Sequence, residues 1–321
     1  MSKKRLFKLS LLCAAVAASS TALAAYPDRA ITMIVPFAPG GNLDITARAV
    51  APALSKALGG QSVVVENKPG AGGSIGAGYV ARGKADGYTL LVSTPNAIAV
   101  TPYMTKTPYT LKSFRAIGLV AHTPLLIDVN GKSKYKTIQE LMKYACANPG
   151  KVTVGHSGIG TTNYLGLISM EEASHCKFSA VPYKGSGPAL VDLLGNQIDM
   201  VVDQLSSSAA QIHSGNLKAL AVMTAERVPS LPNVPTLQEA GVKGVDASTN
   251  TGLLVAAGTP DDIVDTLNKA LQKVAQDPSV RNVLGKVGST AMSSTPQKFM
   301  GMIEAESKVA AKLSAEGKLT K

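Results

Sequence analysis

Two glycine-bearing turns hold the residues of this sequence that are best placed to do chemistry. In the first, an apolar run of strand character, 31–37, leads into a turn with a proline and two glycines, 38–42, and an amphipathic helix begins near Leu43. Asn42 is a candidate N-cap, and Asp44 places a carboxylate in the first helical turn. Such a turn directs unpaired backbone N–H groups at one spot, which suits an anion. The alternative is that the glycines only permit a tight connection.

A second turn repeats this pattern later in the chain. Residues 151–155 form a predicted strand, 156–161 a turn with two glycines, and 162–174 a helix. Neither turn contributes a Lys or Arg, so helix dipoles, hydroxyl groups and water would have to balance the charge of an anionic ligand. The two turns together predict a carboxylate site that is reached from both sides.

Three other motifs indicate different chemistry, and each departs from its pattern. Residues 78–85 fail as a phosphate-binding loop, because an alanine replaces the required Ser or Thr and a helix precedes them. Residues 76–81 match the loose dinucleotide fingerprint but lie too far beyond the preceding strand. Residues 155–159 resemble a nucleophile elbow, with Ile159 in place of its second glycine. An exported serine hydrolase that uses Ser157 therefore remains an alternative.

The composition excludes several classes of partner. Lysines and arginines are scattered and aromatic residues are few, so we expect no nucleic-acid binding. The four histidines have no metal-ligand spacing, so we expect no metal and no cofactor. A basic net charge permits anionic ligands without identifying one.

The first 24 residues have the pattern of a secretory signal peptide. Basic residues precede a short apolar run, and Ala22-Leu23-Ala24 offers an A-x-A cleavage site. Cleavage removes four positive charges and no negative ones, so the formal net charge falls from +11 to +7. We therefore expect a periplasmic protein that begins near Ala25.

Two cysteines, Cys146 and Cys176, remain in the exported chain. An oxidising compartment favours a disulfide between them, which would tie the helix before Pro149 to the end of the helix after Thr162. Two separate buried thiols are the alternative.

The alternation of strands and helices favours an α/β fold with two doubly wound sheets. Two apolar runs within 114–129 are interrupted at 122–124, which we interpret as the crossing between domains. The extended segment 245–256 would be the return. The predicted domains are 25–122 plus 252–321 and 123–251.

Local signals also predict individual helix ends. Thr259-Pro260 and Thr295-Pro296 each combine a capping residue with proline at the first helical position. A short helix is predicted after Val234-Pro235-Thr236, ending at Gly241.

Six motifs in order over most of the exported chain resemble the Bug family, the substrate-binding proteins of tripartite tricarboxylate transporters. They are VPFAPGGNLDITAR, ENKPGAGGSIGAGYVA, ADGYTLL, VPYKGSGPALVDLLGNQID, LAVMTAERVPSLPNVPTLQEAG and AAGTPDDIV. The resemblance implies a non-enzymatic protein with two α/β domains around a cleft, of the periplasmic-binding-protein type II kind. It implies a small organic carboxylate as ligand: a dicarboxylate, a tricarboxylate, an acidic amino acid or an aromatic acid.

The resemblance also assigns ligand binding to residues at strand ends and helix starts on both sides of the cleft. These are Phe37, Pro39, Gly40, Gly41, Asn42, Asp44, Ser93, Thr94, Ser157, Gly158, Gly160, Thr161, Thr162 and Asp203. Asp203 would favour an ammonium or hydroxyl group at the far end of the ligand, unless it only caps the helix that follows. Many relatives carry a Trp before the glycine that corresponds to Gly252, whereas this chain has Asn250-Thr251 there and no Trp.

We therefore expect a monomeric periplasmic receptor that captures a carboxylate for uptake through the membrane subunits of such a transporter. An orphan sensor of the same acids, which acts on a sensor protein, is the alternative within this class.

Overall fold

The fold is described from a computed structural model, which defines residues 26–317 and 319. The predicted signal peptide, 1–24, and its cleavage site lie outside these residues. Within the described ranges, no helix has both the length and the apolar character needed to cross a membrane.

The described part of the chain contains ten strands. They are β1 Ile31–Val35, β2 Val63–Asn67, β3 Thr89–Ser93, β4 Phe114–Asn130, β5 Thr153–His156, β6 Ser179–Pro182, β7 Met200–Gln204, β8 Leu217–Val222, β9 Ser248–Ala256 and β10 Thr290–Ala291.

Eleven α-helices connect them over the same residues. They are α1 Asn42–Ala57, α2 Ser74–Ala81, α3 Pro95–Ala99, α4 Thr101–Met104, α5 Ile138–Ala147, α6 Thr162–Ser174, α7 Ser186–Leu194, α8 Leu205–His213, α9 Asp261–Gln276, α10 Pro278–Lys286 and α11 Pro296–Ala315.

The strands run in the order β2-β1-β3-β9-β4-β7-β5-β6, with β8 and β10 also paired to β4. At one end β2, β1 and β3 are parallel, and at the other end β6, β5 and β7 are parallel. The first lobe comprises β1–β3, α1–α4 and α9–α11, and the second lobe comprises β5–β8 and α5–α8. The two lobes therefore repeat one strand order on either side of β4 and β9.

The long strand β4 joins the lobes without a break. Its first part, from Phe114 to Pro124, pairs antiparallel with β9, and its last part, from Leu125 onward, pairs with β7 and β8. The break between the two apolar runs at 122–124 interrupts no strand, because His122, Thr123 and Pro124 still pair with β9. The chain therefore crosses between the lobes within the single strand β4. The predicted domain boundary between residues 122 and 123 stays a prediction.

Helices cover both faces of the sheet in each lobe. In the first lobe α1, α9 and α10 bury apolar side chains on one face, and α2, α3 and α11 on the other. In the second lobe α5 and α6 cover one face, and α7 and α8 cover the other. The predicted doubly wound α/β fold is confirmed.

Four threonines begin α-helices as N-caps. The Thr94, Thr137, Thr161 and Thr295 hydroxyl oxygens each accept a hydrogen bond from a backbone N–H three residues later. The predicted helix start at Thr295-Pro296 is therefore confirmed. The predicted cap at Thr259 is wrong, because its hydroxyl donates to the Ala256 carbonyl and Pro260 occupies the cap position.

Two further local predictions differ from the structure. Residues 234–241 form turns and not a helix. Val222, at the end of β8, hydrogen-bonds to their backbone: its N–H donates to the Pro235 carbonyl, and its carbonyl accepts from the Leu237 N–H. Asn42 is the first residue of α1, and Gly41 is its N-cap.

A disulfide joins Cys146, at the end of α5, to Cys176, just beyond α6, with 4.5 Å between their Cα atoms. It links the two helices that cover one face of the second lobe. Cys176 is buried in the core on that face.

We expect the disulfide to stabilise the second lobe, because it closes a loop of 30 residues in sequence separation. A bridge of this span contributes on the order of 3 kcal/mol to the free energy of unfolding. The Cys146→Ser/Cys176→Ser double variant should unfold at a lower denaturant concentration than the native protein, with a matched urea titration as the measurement. Two alkylatable thiols in denatured, unreduced native protein would contradict the bridge.

Candidate functional site

A small cavity lies between the two lobes, where the carboxyl ends of several strands meet. Its volume is about 30 Å³. The first lobe contributes five lining residues and the second lobe six: Phe37, Gly41, Asn42, Leu43 and Thr94, and Ser157, Thr161, Thr162, Asn163, Ser186 and Gln204.

Four helices of nine or more residues begin at this cavity. The residues at the starts of α1, α6, α7 and α8 line it, namely Asn42, Thr162, Ser186 and, as the N-cap of α8, Gln204. The first N–H groups of a helix have no partner within it, and each N-terminus carries a partial positive charge. The cavity therefore suits an anion, although none of the residues that line it has an ionisable side chain.

Asn42 connects the cavity wall to both lobes. Its side-chain oxygen accepts hydrogen bonds from Thr123 at 3.0 Å and Ser206 at 2.7 Å, and its amide nitrogen donates to Thr251 at 3.2 Å. Thr123 and Thr251 lie on β4 and β9, and Ser206 lies on α8 of the second lobe. One buried amide thus links helix α1 to the strands between the lobes and to the opposite wall.

Gln204 has the corresponding position in the second lobe. Its amide nitrogen donates to Asn163 at 3.0 Å and to Thr249 on β9 at 3.1 Å. Asn163 in turn donates to the Val202 carbonyl at 2.9 Å, which fixes the start of α6 against the end of β7. Since every member is buried, the network holds the helix starts in a defined arrangement.

Ser157 and Ser186 form a pair of hydroxyl groups on the second-lobe wall, with 3.1 Å between their oxygens. Ser186 also donates a short hydrogen bond to Asp203, which is fully buried behind it. Burial raises the pKa of Asp203 to about 7, although hydrogen bonds from Ser186, the Gln204 N–H and Asn163 act in the opposite direction.

The lobes also touch at the edge of the cavity. The Ala38 N–H donates to the Lys184 carbonyl at 3.0 Å, and the Thr162 hydroxyl donates to the Asn96 side chain at 3.0 Å. Gly185 is close to the first-lobe loop, since a Cβ there would lie 3.1 Å from the Ala38 nitrogen. Backbone therefore approaches backbone across the cleft.

The structure brings seven of the residues proposed from the sequence to the cavity wall: Phe37, Gly41, Asn42, Thr94, Ser157, Thr161 and Thr162. Seven others do not line it: Pro39, Gly40, Asp44, Ser93, Gly158, Gly160 and Asp203.

The residues of the first turn that do not line the cavity hold the turn in its conformation. Asp44 accepts hydrogen bonds from the Gly40 N–H, Arg48 and Asn67, so both the carboxylate and the Gly40 N–H are used within the loop. Burial alone would raise the pKa of Asp44, but these partners hold it below its usual range. The Ser93 hydroxyl donates to the Thr94 carbonyl and does not reach the cavity.

The glycines of the second turn that do not line the cavity have hydrogen-bond partners within the protein. The Gly158 N–H donates to His156 Nδ1, and the Gly160 carbonyl accepts from the Thr101 hydroxyl. Asp203 lies behind Ser186 and Asn163, so it does not line the cavity, and it is not the N-cap of α8, which is Gln204.

Leu43, Asn163, Ser186 and Gln204 line the cavity but were not singled out in the sequence. Ser186 lies in the motif VPYKGSGPAL, directly after Gly185, and could have been found as a third glycine turn before a helix. Asn163 and Gln204 carry no such signal, because uncharged amides at a helix start are common caps.

Among the described residues, no histidine is a hydrogen-bond partner of the Ser157 hydroxyl. Its hydroxyl pairs with Ser186, and the ring of the neighbouring His156 accepts from the Gly158 N–H. Burial lowers the pKa of His156. In the described chain, no group of three or more His, Cys, Asp or Glu residues is placed to hold a metal ion.

Two α/β lobes around an anion-suited cavity define a solute-binding protein of the periplasmic type. The sequence model of the tripartite tricarboxylate transporter family receptor, TctC, matches residues 46–318. The chain belongs to this family, which includes the Bug proteins.

Solved structures of similar proteins agree over nearly the whole length. The periplasmic binding protein BugD is 36% identical with a TM-score of 0.86, covering 92% of this chain and 100% of its own. MatC from Rhodopseudomonas palustris with bound malate is 30% identical with a TM-score of 0.84, covering 90% and 100%. Another R. palustris protein, with adipate, is 33% identical with a TM-score of 0.84, covering 90% and 98%.

We predict that Asn42→Ala destabilises the protein by about 1–3 kcal/mol, because it leaves the buried Thr123, Ser206 and Thr251 hydroxyl groups without their shared partner. Urea unfolding of the variant measures this loss. Asn233→Ala, at an exposed position, is the matched control and should change the free energy of unfolding by less than about 0.5 kcal/mol. Equal unfolding midpoints for the two variants would show that the network carries no stability.

Proposed function

We propose that this protein is a periplasmic receptor that captures a small organic carboxylate between its two lobes for uptake through a tripartite tricarboxylate-type transporter. The observation that carries the proposal is the convergence of four helix N-termini on one cavity whose lining side chains are neutral. An anion there is stabilised by N–H groups, hydroxyls and amides together.

The size of the cavity supports a ligand that is enclosed by movement of the lobes. A volume of about 30 Å³ is far below the roughly 300 Å³ or more of a typical small-molecule site. A dicarboxylate therefore needs the lobes to separate for entry and to close around it. The strands β4 and β9, which cross between the lobes, are the natural hinge.

The carboxylate class is supported by the ligands of two similar proteins, which bind malate and adipate. Tricarboxylates, acidic amino acids and aromatic acids stay within the proposal, because the hydroxyl-rich second-lobe wall suits any ligand with a carboxylate at one end. The residues proposed to contact it are those that line the cavity.

A receptor that delivers its ligand to a transporter and a receptor that acts as a sensor need different partner proteins. Delivery requires two membrane subunits, and genes for such subunits beside this one would support it. An orphan sensor would instead lie beside the gene of a sensor protein. The TctC family description favours delivery.

We expect a thermal-shift screen of malate, adipate, citrate, aspartate, glutamate and benzoate to identify at least one ligand. A ligand that binds only the folded state adds about 2.7 kcal/mol of stability at 100 times its Kd. A melting temperature unchanged by all six acids, at millimolar concentrations, would argue against the proposed function.

We predict that Gly41→Val abolishes binding of the acid found in this screen while the protein stays folded. Gly41 has extended backbone angles that valine adopts readily, and a Cβ there would lie 3.6 Å from Ser186. The additional methyl groups would occupy the cavity, so we expect affinity to fall at least about 100-fold, or about 3 kcal/mol. Calorimetry measures this change.

Gly41→Ala is the matched control, because its Cβ makes only an ordinary contact. It should bind within about tenfold of the native protein. Native-like affinity in Gly41→Val would exclude this cavity as the binding site.

Export is the remaining part of the proposal. We predict that the mature protein is recovered from the periplasm with an N-terminus near Ala25, because the A-x-A site ends at Ala24. N-terminal sequencing decides this, and a retained Met1 on the periplasmic protein would contradict it.

A further inference from the structure

Two buried carboxyl groups lie behind the second-lobe wall of the cavity. Asp128 on β4 and Asp203 on β7 are both fully buried. Leu126 pairs with Asp203 in the register of these strands, and Asp128 follows Leu126 by two residues, so the two carboxyl groups share one face of the sheet. That face is covered by α7 and α8.

The groups that face Asp203 carry no positive charge. Its hydrogen-bond partners are neutral: Ser186 on α7, Asn163 on α6 and the backbone N–H of Gln204. The Ser207 hydroxyl of α8, also neutral, lies near it. Asp128 on β4, which Ser208 of α8 approaches, is the ionisable group coupled to it, and the coupling is repulsive. Burial raises the pKa of Asp128 well above its usual range, so Asp203 is the carboxyl of the pair that titrates near neutral pH.

Ser186 connects Asp203 to the cavity. It has a single hydroxyl proton, which it donates to Asp203, while its oxygen lies 3.1 Å from that of Ser157 on the same wall. As long as Asp203 is ionised, Ser186 presents only lone pairs to the cavity, which repel a carboxylate. A protonated Asp203 can donate to the Ser186 oxygen instead, and this frees the Ser186 proton to point at a ligand.

We propose that Asp203 takes up one proton from solvent when an organic carboxylate binds, and that Ser186 then turns its hydroxyl proton from Asp203 to the ligand. This inference rests on the proposed function and concerns the same cavity. Asp203 acts as a positioning residue, since it does not line the cavity itself and acts on the ligand through Ser186. The binding protein thereby couples capture of the acid to proton concentration.

The coupling between ligand affinity and pH has a defined direction. Well below pH 7 Asp203 already carries its proton, so affinity does not change with its titration. Above pH 7 each binding event must bring a proton, so the Kd rises toward tenfold per pH unit. Ordinary carboxylic acids have pKa values of about 4, so the ligand itself does not titrate in this range.

The test is calorimetry on the mature protein with malate or adipate, whichever binds, in two buffers of different ionisation enthalpy. We expect proton uptake near zero at about pH 6 and approaching one proton per ligand at about pH 8.5. Binding without proton uptake across this range overturns this inference and leaves the proposed function intact. Failure of all six screened acids to bind overturns the proposed function, and this inference with it.

Two variants identify the proton acceptor. In Asp203→Asn the amide donates permanently to Ser186, so we expect no proton uptake and a pH-independent affinity that at about pH 8.5 exceeds the native affinity at least tenfold. In Asp128→Asn a carboxyl that is already protonated when Asp203 titrates is replaced by a neutral amide, so proton uptake should persist with its midpoint unchanged. Proton uptake that survives in Asp203→Asn, or disappears in Asp128→Asn, would overturn the assignment. The proton count of the native protein decides the inference even where a variant fails to fold.

Discussion

An anion can be held in a buried cavity without a basic side chain only where several backbone dipoles meet. In this protein that constraint determines the architecture. Helices α1, α6, α7 and α8 each follow a strand, so their N-termini lie at the strands' carboxyl ends, and both lobes must turn those ends toward the cleft. The repeated order of three parallel strands in each lobe achieves this, and β4 and β9 hold the two sets opposite each other.

The same two strands tie the cavity to the crossing between the lobes. Asn42 and Gln204 line the cavity from opposite lobes, and both hydrogen-bond to threonines on β4 or β9. A rotation of the lobes about these strands must therefore change the partners of side chains that line the site. Because such buried amides are costly to leave unpaired, the network favours a small number of discrete arrangements over a continuous range.

Several local features could be predicted from the sequence, although the Thr259 cap and the helix at 234–241 could not, and most of the long-range features were missed. The two glycine turns and the cap at Thr295 depend on neighbouring residues, so their patterns are visible in the chain. The direction of the Asp44 side chain depends on Asn67, and that of Asp203 on Asn163, which are distant in sequence. The continuity of β4 likewise depends on β9, and no local pattern reveals that pairing.

Asp203 shows why the buried carboxyl pair calls for a functional explanation. A rise in its pKa from 3.8 to about 7 on folding means that the folded state binds the proton more tightly than the unfolded chain does. The free energy of unfolding therefore falls as pH rises through that interval, by about 4 kcal/mol in total. An apolar residue of similar volume would avoid this cost, so stability does not account for the carboxyl. Its shortest hydrogen bond to a residue of the cavity wall is with Ser186, where protonation that relieves the cost also supplies the hydrogen-bond donor that an anionic ligand requires.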